Sequence, residues 1–312
     1  MAEKIVGPVS SLVLSCDETL SENALTVSPY SEDPQRAWIE LHRQLTVDKV
    51  KPLPLNTPVR EDAVRFVCIS DTHDKLQELM KEPRKGVDRK GIPPGDVLLH
   101  AGDFTFLGTA GRVKKFNEIL GMLPHRHKVV IAGNHELSFD DNCEKMISGM
   151  MASQNRSVLR EAGVSAVQDL LTNCVYLQDS SVEIYGIKIY GSPWQPEYRG
   201  WAFNAPRGWA LLKIWNKIPS DTDVLMTHGP PLGYGDLLKS SQRAGCVDLL
   251  NTVQKRVRPL YHVFGHIHEG YGVFSDGHTT YINASTCTTK YFPTNPPVIF
   301  DIPLRKGFTK TS

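Results

Sequence analysis

The chain has 312 residues, of which 40% are hydrophobic and 22% charged, and its formal net charge at pH 7 is +1. These fractions are ordinary for a globular protein, and the length suffices for one large core or two smaller ones. The near-neutral charge argues against binding long nucleic acid or an acidic membrane surface, and no apolar stretch is long enough to span a bilayer.

The first 60 residues are predicted to form an N-terminal extension. Residues 1–32 are polar and predict an irregular, mobile segment. Pro34 begins a helical pattern over about 34–45, because proline is favoured in the first turn of a helix. One face of this helix carries three apolar side chains that predict docking onto the main domain, namely Trp38, Leu41 and Leu45.

The main domain is predicted over residues 61–305, with a C-terminal tail at 306–312. Apolar runs of strand length, typical of strands buried on both faces, occur at 66–70, 96–100, 128–132, 223–227 and 260–264. Helical patterns occupy 109–123, 140–151, 208–217 and 245–257, and shorter hairpin-like strands occupy 182–185, 187–190, 271–274, 279–282 and 298–302. This order predicts an α/β fold with two sheets covered by helices, and a charged surface loop at 81–94.

The cysteines are scattered and form no Cys-x-x-Cys pair: Cys16, Cys68, Cys143, Cys174, Cys246 and Cys287. Several lie inside apolar runs, which is typical of buried free thiols in a reducing compartment. A cytoplasmic location is therefore predicted.

Five short segments each end an apolar run and present a side chain that can bind metal. They are Asp71-Thr72-His73, Gly102-Asp103, Gly133-Asn134-His135-Glu136, His228-Gly229 and Gly265-His266-Ile267-His268. Each alone is more typical of a turn or a loop histidine, but ligand sites of α/β sheets form beyond the carboxyl ends of strands, where all five converge. Carboxylate, amide and imidazole groups without thiolate favour Mn, Fe, Zn or Ni over copper, calcium or magnesium. The remaining histidines are interpreted as structural or surface residues: His42, His100, His125, His127, His262 and His278.

Together the segments resemble the pattern D-x-H, G-D, G-N-H-[D/E], H and G-H-x-H of the calcineurin-like metallophosphoesterase superfamily. The match covers about residues 66–285, and every position is filled. Residues 131–137, 190–196 and 227–233 are also similar to a narrower group, the metallophosphoesterase-domain-containing proteins of animals, which is related to a fetal-brain protein. The resemblance implies a four-layer α/β/β/α sandwich of two mixed sheets flanked by helices.

The resemblance also implies two divalent metal ions, with Mn expected first and Fe, Zn, Ni or Co as alternatives. One ion would be held by Asp71, His73 and His268, and the other by Asn134, His228 and His266. Asp103 would bridge them and, with His135 beside the phosphate, would be catalytic. Two adjacent cations can clamp a phosphoryl oxygen and generate a bridging hydroxide that attacks phosphorus.

The residues around these motifs bear on the substrate. Protein phosphatases of this superfamily carry arginines in G-D-x-V-D-R-G and R-G-N-H-E, and here residues 102–108 and 132–136 contain none. A dianionic monoester would lose its bidentate partner, whereas a singly charged diester needs less cationic help. A phosphodiesterase acting on a small diester, plausibly a cyclic nucleotide, is therefore predicted. The alternatives are a phosphomonoesterase on the same site and a nucleotide-binding regulatory protein with slow catalysis.

Aromatic residues concentrate after the second group of strands. Trp194, Tyr198 and Trp201 lie in a loop and are predicted, with Asn134 and His135, to contact substrate by stacking and hydrogen bonding. Two further tryptophans fall on a helical pattern and are predicted to be core, Trp209 and Trp215. The loop at 230–243 is the other candidate wall of the site. The expected partner is a small phosphodiester or nucleotide, without long nucleic acid or membrane.

Overall fold

A computed structural model describes residues 14–15 (backbone only), 25–80, 91–143, 147 and 149–310. The predictions for most of residues 1–24, for the surface loop over 81–90, for Cys16 and for the last two residues of the tail lie outside the described residues. Within the N-terminal extension, residues 14–15 form a short strand rather than irregular chain.

The strands, in chain order, are β1 Leu14–Ser15, β2 Asp48–Lys49, β3 Ala63–Ile69, β4 Val97–Ala101, β5 His127–Ile131, β6 Val175–Tyr176, β7 Ser180–Ile184, β8 Ile187–Ser192, β9 Gln195–Pro196, β10 Asn204–Ala205, β11 Val224–Thr227, β12 Tyr261–Phe264, β13 Gly272–Ser275, β14 Thr280–Asn283 and β15 Val298–Pro303. The helices are α1 Pro34–Leu41, α2 Leu76–Leu79, α3 Ala110–Met122, α4 Met150–Ala162, α5 Trp209–Trp215 and α6 Val247–Asn251. A π-helical turn, Thr252–Val257, continues α6.

Two mixed sheets form the centre of the molecule. One has the order β15-β3-β4-β5-β6, in which β3 to β6 are parallel and β15 is antiparallel. The other has the order β1-β7-β8-β11-β12-β14-β13-β2, with a parallel centre of β8, β11, β12 and β14 between antiparallel edges. The five predicted buried strands correspond to β3, β4, β5, β11 and β12.

Alternating side chains of the strands face different layers. In β3, Phe66 and Cys68 belong to the core between the two sheets, whereas Val67 and Ile69 face the helices. The outer face of the five-stranded sheet is covered by α2, α3 and α4, and that of the eight-stranded sheet by α1, α5 and α6. Because strands buried on both faces need apolar residues at every position, their runs are continuous. The four-layer α/β/β/α prediction is confirmed.

The N-terminal helix docks as predicted. Its first turn is capped by Asp33, whose carboxylate accepts from Arg36 N at 2.9 Å. Trp38, Leu41 and Leu45 pack against the outer core of the eight-stranded sheet. The extension is thus tied to the main domain, and β2 adds to that sheet beside β13.

Two predictions about the helices were wrong. The helix predicted over 140–151 begins only at Met150, after Gly149 with φ 63°. Asp140 instead accepts from the main-chain N–H groups of Asn142 (2.9 Å) and Phe203 (2.7 Å), and this holds a turn. Trp209 is 60% exposed because it is the first residue of α5, whereas Trp215 is buried as predicted.

The described part of the chain holds no helix long and apolar enough to cross a bilayer. Cys68, Cys143, Cys174, Cys246 and Cys287 are free thiols, as expected for those positions.

A buried ion pair joins the edge strand β15 to the domain. Arg65, 1% exposed, binds the Asp301 carboxylate and donates to the carbonyls of Thr57 at 2.9 Å and Pro58 at 3.0 Å. Removing one member of a buried pair leaves the other charge uncompensated, so Arg65→Ala is expected to lower the free energy of unfolding by about 3 kcal/mol. Urea unfolding checks this.

The matched control is Arg60→Ala, which removes an exposed arginine paired with Asp62 and should leave the unfolding midpoint unchanged. An Arg65→Ala protein as stable as the control would show that the pair does not anchor β15.

Candidate metal centre

The five predicted segments meet at one edge of the sandwich. They follow the carboxyl ends of β3, β4, β5, β11 and β12, so both sheets contribute. Main-chain bonds extend the pairing past the strand ends: Asp71 N donates to Gly102 O at 2.9 Å, and Gly265 N donates to His228 O at 3.0 Å. The loops therefore stay in register as they enter the site.

Several of the candidate ligands have left-handed backbone conformations. The φ angles are 50° for Asp71, 42° for His73, 54° for Asp103 and 65° for His266. This region costs an L-residue about 1–2 kcal/mol, and such strain is characteristic of functional sites held by surrounding structure.

The first candidate group contains Asp71, His73 and His268. Asp71 Oδ1 lies 3.2 Å from His268 Nε2, and the Nε2 atoms of His73 and His268 are 3.2 Å apart. The Asp71 carboxylate also accepts from Ser285 Oγ at 3.0 Å and from His266 N at 3.1 Å. These bonds fix the carboxylate while both imidazoles point at it.

The second candidate group centres on His228. Its Nε2 atom lies 3.0 Å from Asn134 Oδ1 and 3.4 Å from Asp103 Oδ2, and its ring centroid is 5.0 Å from that of His266. Asp103 Oδ2 also lies 3.9 Å from His73 Nε2 in the first group. Asp103 thus stands between the two groups.

The imidazole rings are oriented by main-chain carbonyls. Nδ1 lies 2.9 Å from Ala101 O in His228, 3.0 Å from Thr288 O in His268 and 2.8 Å from Phe106 O in His135. Because a carbonyl only accepts, each Nδ1 carries the proton and Nε2 faces the centre. A hydrogen bond of this kind on the outer nitrogen fixes the tautomer and the orientation of a histidine that binds metal through the other nitrogen.

Glu136 connects the loops behind the candidate ligands. Its fully buried carboxylate accepts from Asp103 N at 2.9 Å, Gly133 N at 2.8 Å, and both Thr105 N and Oγ1 at 2.9 Å. Burial and the negative charge of Asp103 raise the pKa of Glu136 to about 8, while these donors favour its ionised form. The sequence pattern was not interpreted as giving Glu136 a role. The acidic residue at the end of the G-N-H-E segment was nevertheless a signal that could have indicated one.

The residues present fit a metal site whose donors are carboxylate, amide oxygen and imidazole. Among the described residues, three sets of ligand atoms lie within 4.8 Å of one another, namely Asp71-His73-His268, His73-Asp103-His135 and Asp103-His228-His266. Glycine is required where the backbone passes behind them, since a Cβ at Gly265 would collide with Asp71 and one at Gly133 with Asp103.

The charges of the site shift its pKa values strongly. Burial alone would lower the pKa of both His228 and His268, but the carboxylates of Asp103 and Asp71 respectively raise each to about 9. Burial would raise the pKa of Asp103, yet the adjacent His228 and His135 hold it well below its usual range. In contrast, burial lowers the pKa of His73 to about 4.

These shifts predict a strong pH dependence of metal binding. His228 and His268 carry protons at pH 7 in the metal-free protein, and each must lose one for Nε2 to coordinate. Binding should therefore release up to about two protons. Below pH 9 the metal affinity should increase with pH, by about tenfold per released proton for each unit by which the pH rises. Titration calorimetry with Mn²⁺ in buffers of different ionisation enthalpy measures the release.

The control variant is His278→Ala, which removes an exposed histidine outside the centre and should leave proton release unchanged. A Mn²⁺ affinity that stays constant between pH 6.5 and 8.5 would contradict the assignment of these two histidines.

A cavity of about 340 Å³ opens in front of the centre. Asp103, Asn134 and His135 line it with Tyr198, and Pro230 and Leu238 supply the second wall. The His135 ring is packed edge-on against Trp201, with centroids 4.4 Å apart.

Of the three predicted substrate-binding aromatics, Tyr198 lines this cavity, whereas Trp194 and Trp201 are not among its lining residues. Tyr198 is 49% exposed, and its ring lies 5.9 Å from that of His266. Trp194 instead donates to Asp179 Oδ2 at 2.9 Å and packs edge-on against Phe203. These contacts fix the indole of Trp194 within the β8–β9 connection, and Trp194 does not line the cavity.

Two histidines interpreted as structural support the loops from behind. His100 Nε2 lies 2.9 Å from Thr72 Oγ1, and His262 Nε2 lies 2.8 Å from Thr227 Oγ1. Both rings are fully buried, and burial lowers the pKa of each to about 3. They are neutral and steady the residues next to Asp71 and His228.

Residues 64–270 match the family model described as Calcineurin-like phosphoesterase. The chain belongs to the calcineurin-like phosphoesterase family. The resemblance seen in the motifs is thereby confirmed, and membership indicates a metal-dependent phosphoesterase.

Animal members of this calcineurin-like family are similar over most of their length. Human "Metallophosphoesterase domain-containing protein 1" is 50% identical over 288 residues, covering 89% of this chain and 85% of that protein. The mouse protein of the same name matches equally. "UPF0046 protein C25E10.12" of Caenorhabditis elegans is 47% identical over 296 residues, covering 93% of this chain and all of that protein.

Proposed function

We propose that this protein is a dinuclear metal-dependent phosphodiesterase that hydrolyses a small phosphodiester, with a cyclic nucleotide as the candidate substrate. The observation that carries the proposal is the position of Asp103, whose Oδ2 atom lies 3.4 Å from His228 Nε2 and 3.9 Å from His73 Nε2. One carboxylate between two ligand groups is the arrangement that two adjacent metals require.

Asp71, His73 and His268 would hold one ion, and Asn134, His228 and His266 the other, with Asp103 shared. When bound, the two ions supply Lewis acidity toward a phosphoryl oxygen and an activated water. Mn is the proposed native metal, with Fe, Zn, Ni or Co as alternatives that share this ligand preference.

His135 is the proposed proton donor to the leaving oxygen. Its Nδ1 proton is held by Phe106 O, its Nε2 lies 3.9 Å from Asp103 Oδ2, and its side chain is 12% exposed to the cavity. Trp201 packs edge-on against the ring, with centroids 4.4 Å apart. To act as the donor, the ring takes part as an imidazolium, which carries a second proton on Nε2, and that proton is the one that would go to the leaving oxygen.

Selectivity for a diester is supported by the charges that line the cavity. Among the described lining residues, the only arginine or lysine is Arg207, and it donates to the main-chain carbonyls of Ala244 at 2.7 Å and Gly245 at 2.9 Å. A dianionic monoester therefore finds no paired arginine fork beside the metals, and a monoanionic diester needs none. Tyr198, half exposed at the mouth, is placed to stack on a flat leaving group.

The test compares bis(p-nitrophenyl) phosphate with p-nitrophenyl phosphate, using protein reconstituted with Mn²⁺. We expect kcat/KM for the diester to exceed that for the monoester by at least about tenfold. Metal-free protein is the control and should regain activity when Mn²⁺ is returned. Assays with a panel of 2′,3′- and 3′,5′-cyclic nucleotides then test whether the protein hydrolyses a cyclic nucleotide.

Failure to cleave any diester with any of the five metals would refute the proposal. A ratio in favour of the monoester would assign the site to a phosphomonoesterase instead.

A further inference from the structure

A tyrosine that the sequence motifs do not include lies against the metal centre. Tyr291 lines the cavity together with Asp103, His135 and His268. Its ring meets that of His73 edge-on with centroids 4.8 Å apart, and that of His268 with centroids 5.6 Å apart. His135 contacts the same His73 ring at 4.6 Å, so His73 has both His135 and Tyr291 as ring neighbours.

The backbone conformation of Tyr291 is unfavourable. Its φ is 58°, which is rare for a bulky residue and marks a position enforced by its surroundings. Tyr291 N donates to Thr288 O at 2.7 Å, and the same carbonyl lies 3.0 Å from His268 Nδ1. The same turn therefore orients the His268 ring and positions the Tyr291 side chain.

The Tyr291 side chain lines the cavity beside two candidate metal ligands. A tyrosine phenol has an ordinary pKa of about 10, so at neutral pH it keeps its proton and can donate a hydrogen bond. The Phe106 ring packs against the Tyr291 ring, with centroids 5.2 Å apart.

We infer that Tyr291 is a further catalytic residue, whose Oη–H donates a hydrogen bond to a non-bridging oxygen of the phosphoryl group opposite His135. The inference rests on the proposed function, since it concerns the same phosphoester site. In the hydrolysis, the water oxygen bonds to phosphorus and the water loses one proton to solvent. The ester P–O bond breaks, and the leaving oxygen takes a proton from His135, the proposed donor. The phenol gives up no proton and stabilises the charge that grows on the equatorial oxygen, a role for which protein phosphatases use arginine.

The experiment uses Tyr291→Phe, which removes only the hydroxyl and keeps the ring packing on His73. We expect kcat for bis(p-nitrophenyl) phosphate to fall by about 10- to 100-fold. The affinity of the metal-loaded protein for inorganic phosphate should fall at least about threefold, while its Mn²⁺ content and affinity stay unchanged. The control is Tyr176→Phe, which removes a phenol bonded to Gln178 away from the site and should change neither quantity.

Two results would overturn the inference: equal kcat and phosphate affinity in Tyr291→Phe and wild type, or loss of Mn²⁺ from the variant, which would show that Tyr291 acts only through the turn holding His268. Phosphate affinity is measured without turnover. A wild-type protein that cleaves no diester would therefore refute the proposed function, while the phosphate measurement would still decide the role of Tyr291.

Discussion

Asp103→Asn is expected to lower kcat/KM for a phosphodiester by at least about 10³-fold, which corresponds to about 4 kcal/mol of lost transition-state stabilisation. Asparagine keeps the shape of the side chain and can still accept from His135 N, which lies 2.9 Å from Asp103 Oδ1. It cannot provide the negative charge that two cations would share. The variant should also bind one equivalent of Mn²⁺ less, as measured by elemental analysis.

The control for this variant is Asp221→Asn, which removes one negative charge from an exposed aspartate paired with Lys188. It should retain full activity and metal content. An Asp103→Asn protein that keeps both metals and a tenth of the wild-type activity would mean that the bridging role belongs elsewhere.

Glu136→Gln is expected to weaken Mn²⁺ binding by about 10- to 100-fold, although Glu136 is not itself a candidate ligand. One carboxylate oxygen accepts from the main-chain N–H groups of Asp103 and Gly133, and the other accepts from Thr105. A glutamine must present its NH₂ group to one of these sets, so at least one buried N–H loses its acceptor. Each such loss costs about 1–3 kcal/mol, and here it falls on the loops that position Asp103 and Asn134.

Calorimetric Mn²⁺ titration and urea unfolding of the same variant test this expectation. Glu118→Gln serves as the control, because Glu118 lies on the exposed face of α3, where it is paired with Lys115. Unchanged metal affinity in Glu136→Gln would show that the loops hold their positions without the buried carboxylate.

Much of the fold was predictable because the strands that build it are buried on both faces. Residues such as Val67 and Cys68 point to opposite layers yet are equally buried, so the apolar runs stand out in the sequence. The helix predicted over 140–151 failed for a local reason. The Asp140 carboxylate accepts hydrogen bonds from the main-chain N–H groups of Asn142 in the turn and of Phe203. The spacing of apolar residues in the sequence gives no indication of such hydrogen bonds.

The candidate metal ligands were predictable because each follows a strand and has a distinctive side chain. Their supporting groups were not, since support depends on contacts between distant segments. Tyr291 gives no signal in the sequence, because its position follows from a turn that also serves His268. Trp194 is the opposite case. The sequence indicated an aromatic residue in the loop beside the site, but the indole N–H of Trp194 is bonded to Asp179 and its ring does not line the cavity.

The origin of the ligands in both sheets has a consequence for how the protein matures. His73 and His268 are 195 residues apart in the chain and come from different sheets, yet their Nε2 atoms are 3.2 Å apart. Neither of the two proposed ligand sets lies in one sheet alone, although His73, Asp103 and His135 on the five-stranded side form a further group that could hold an ion. Both proposed sites should therefore fill only after the two sheets have packed together.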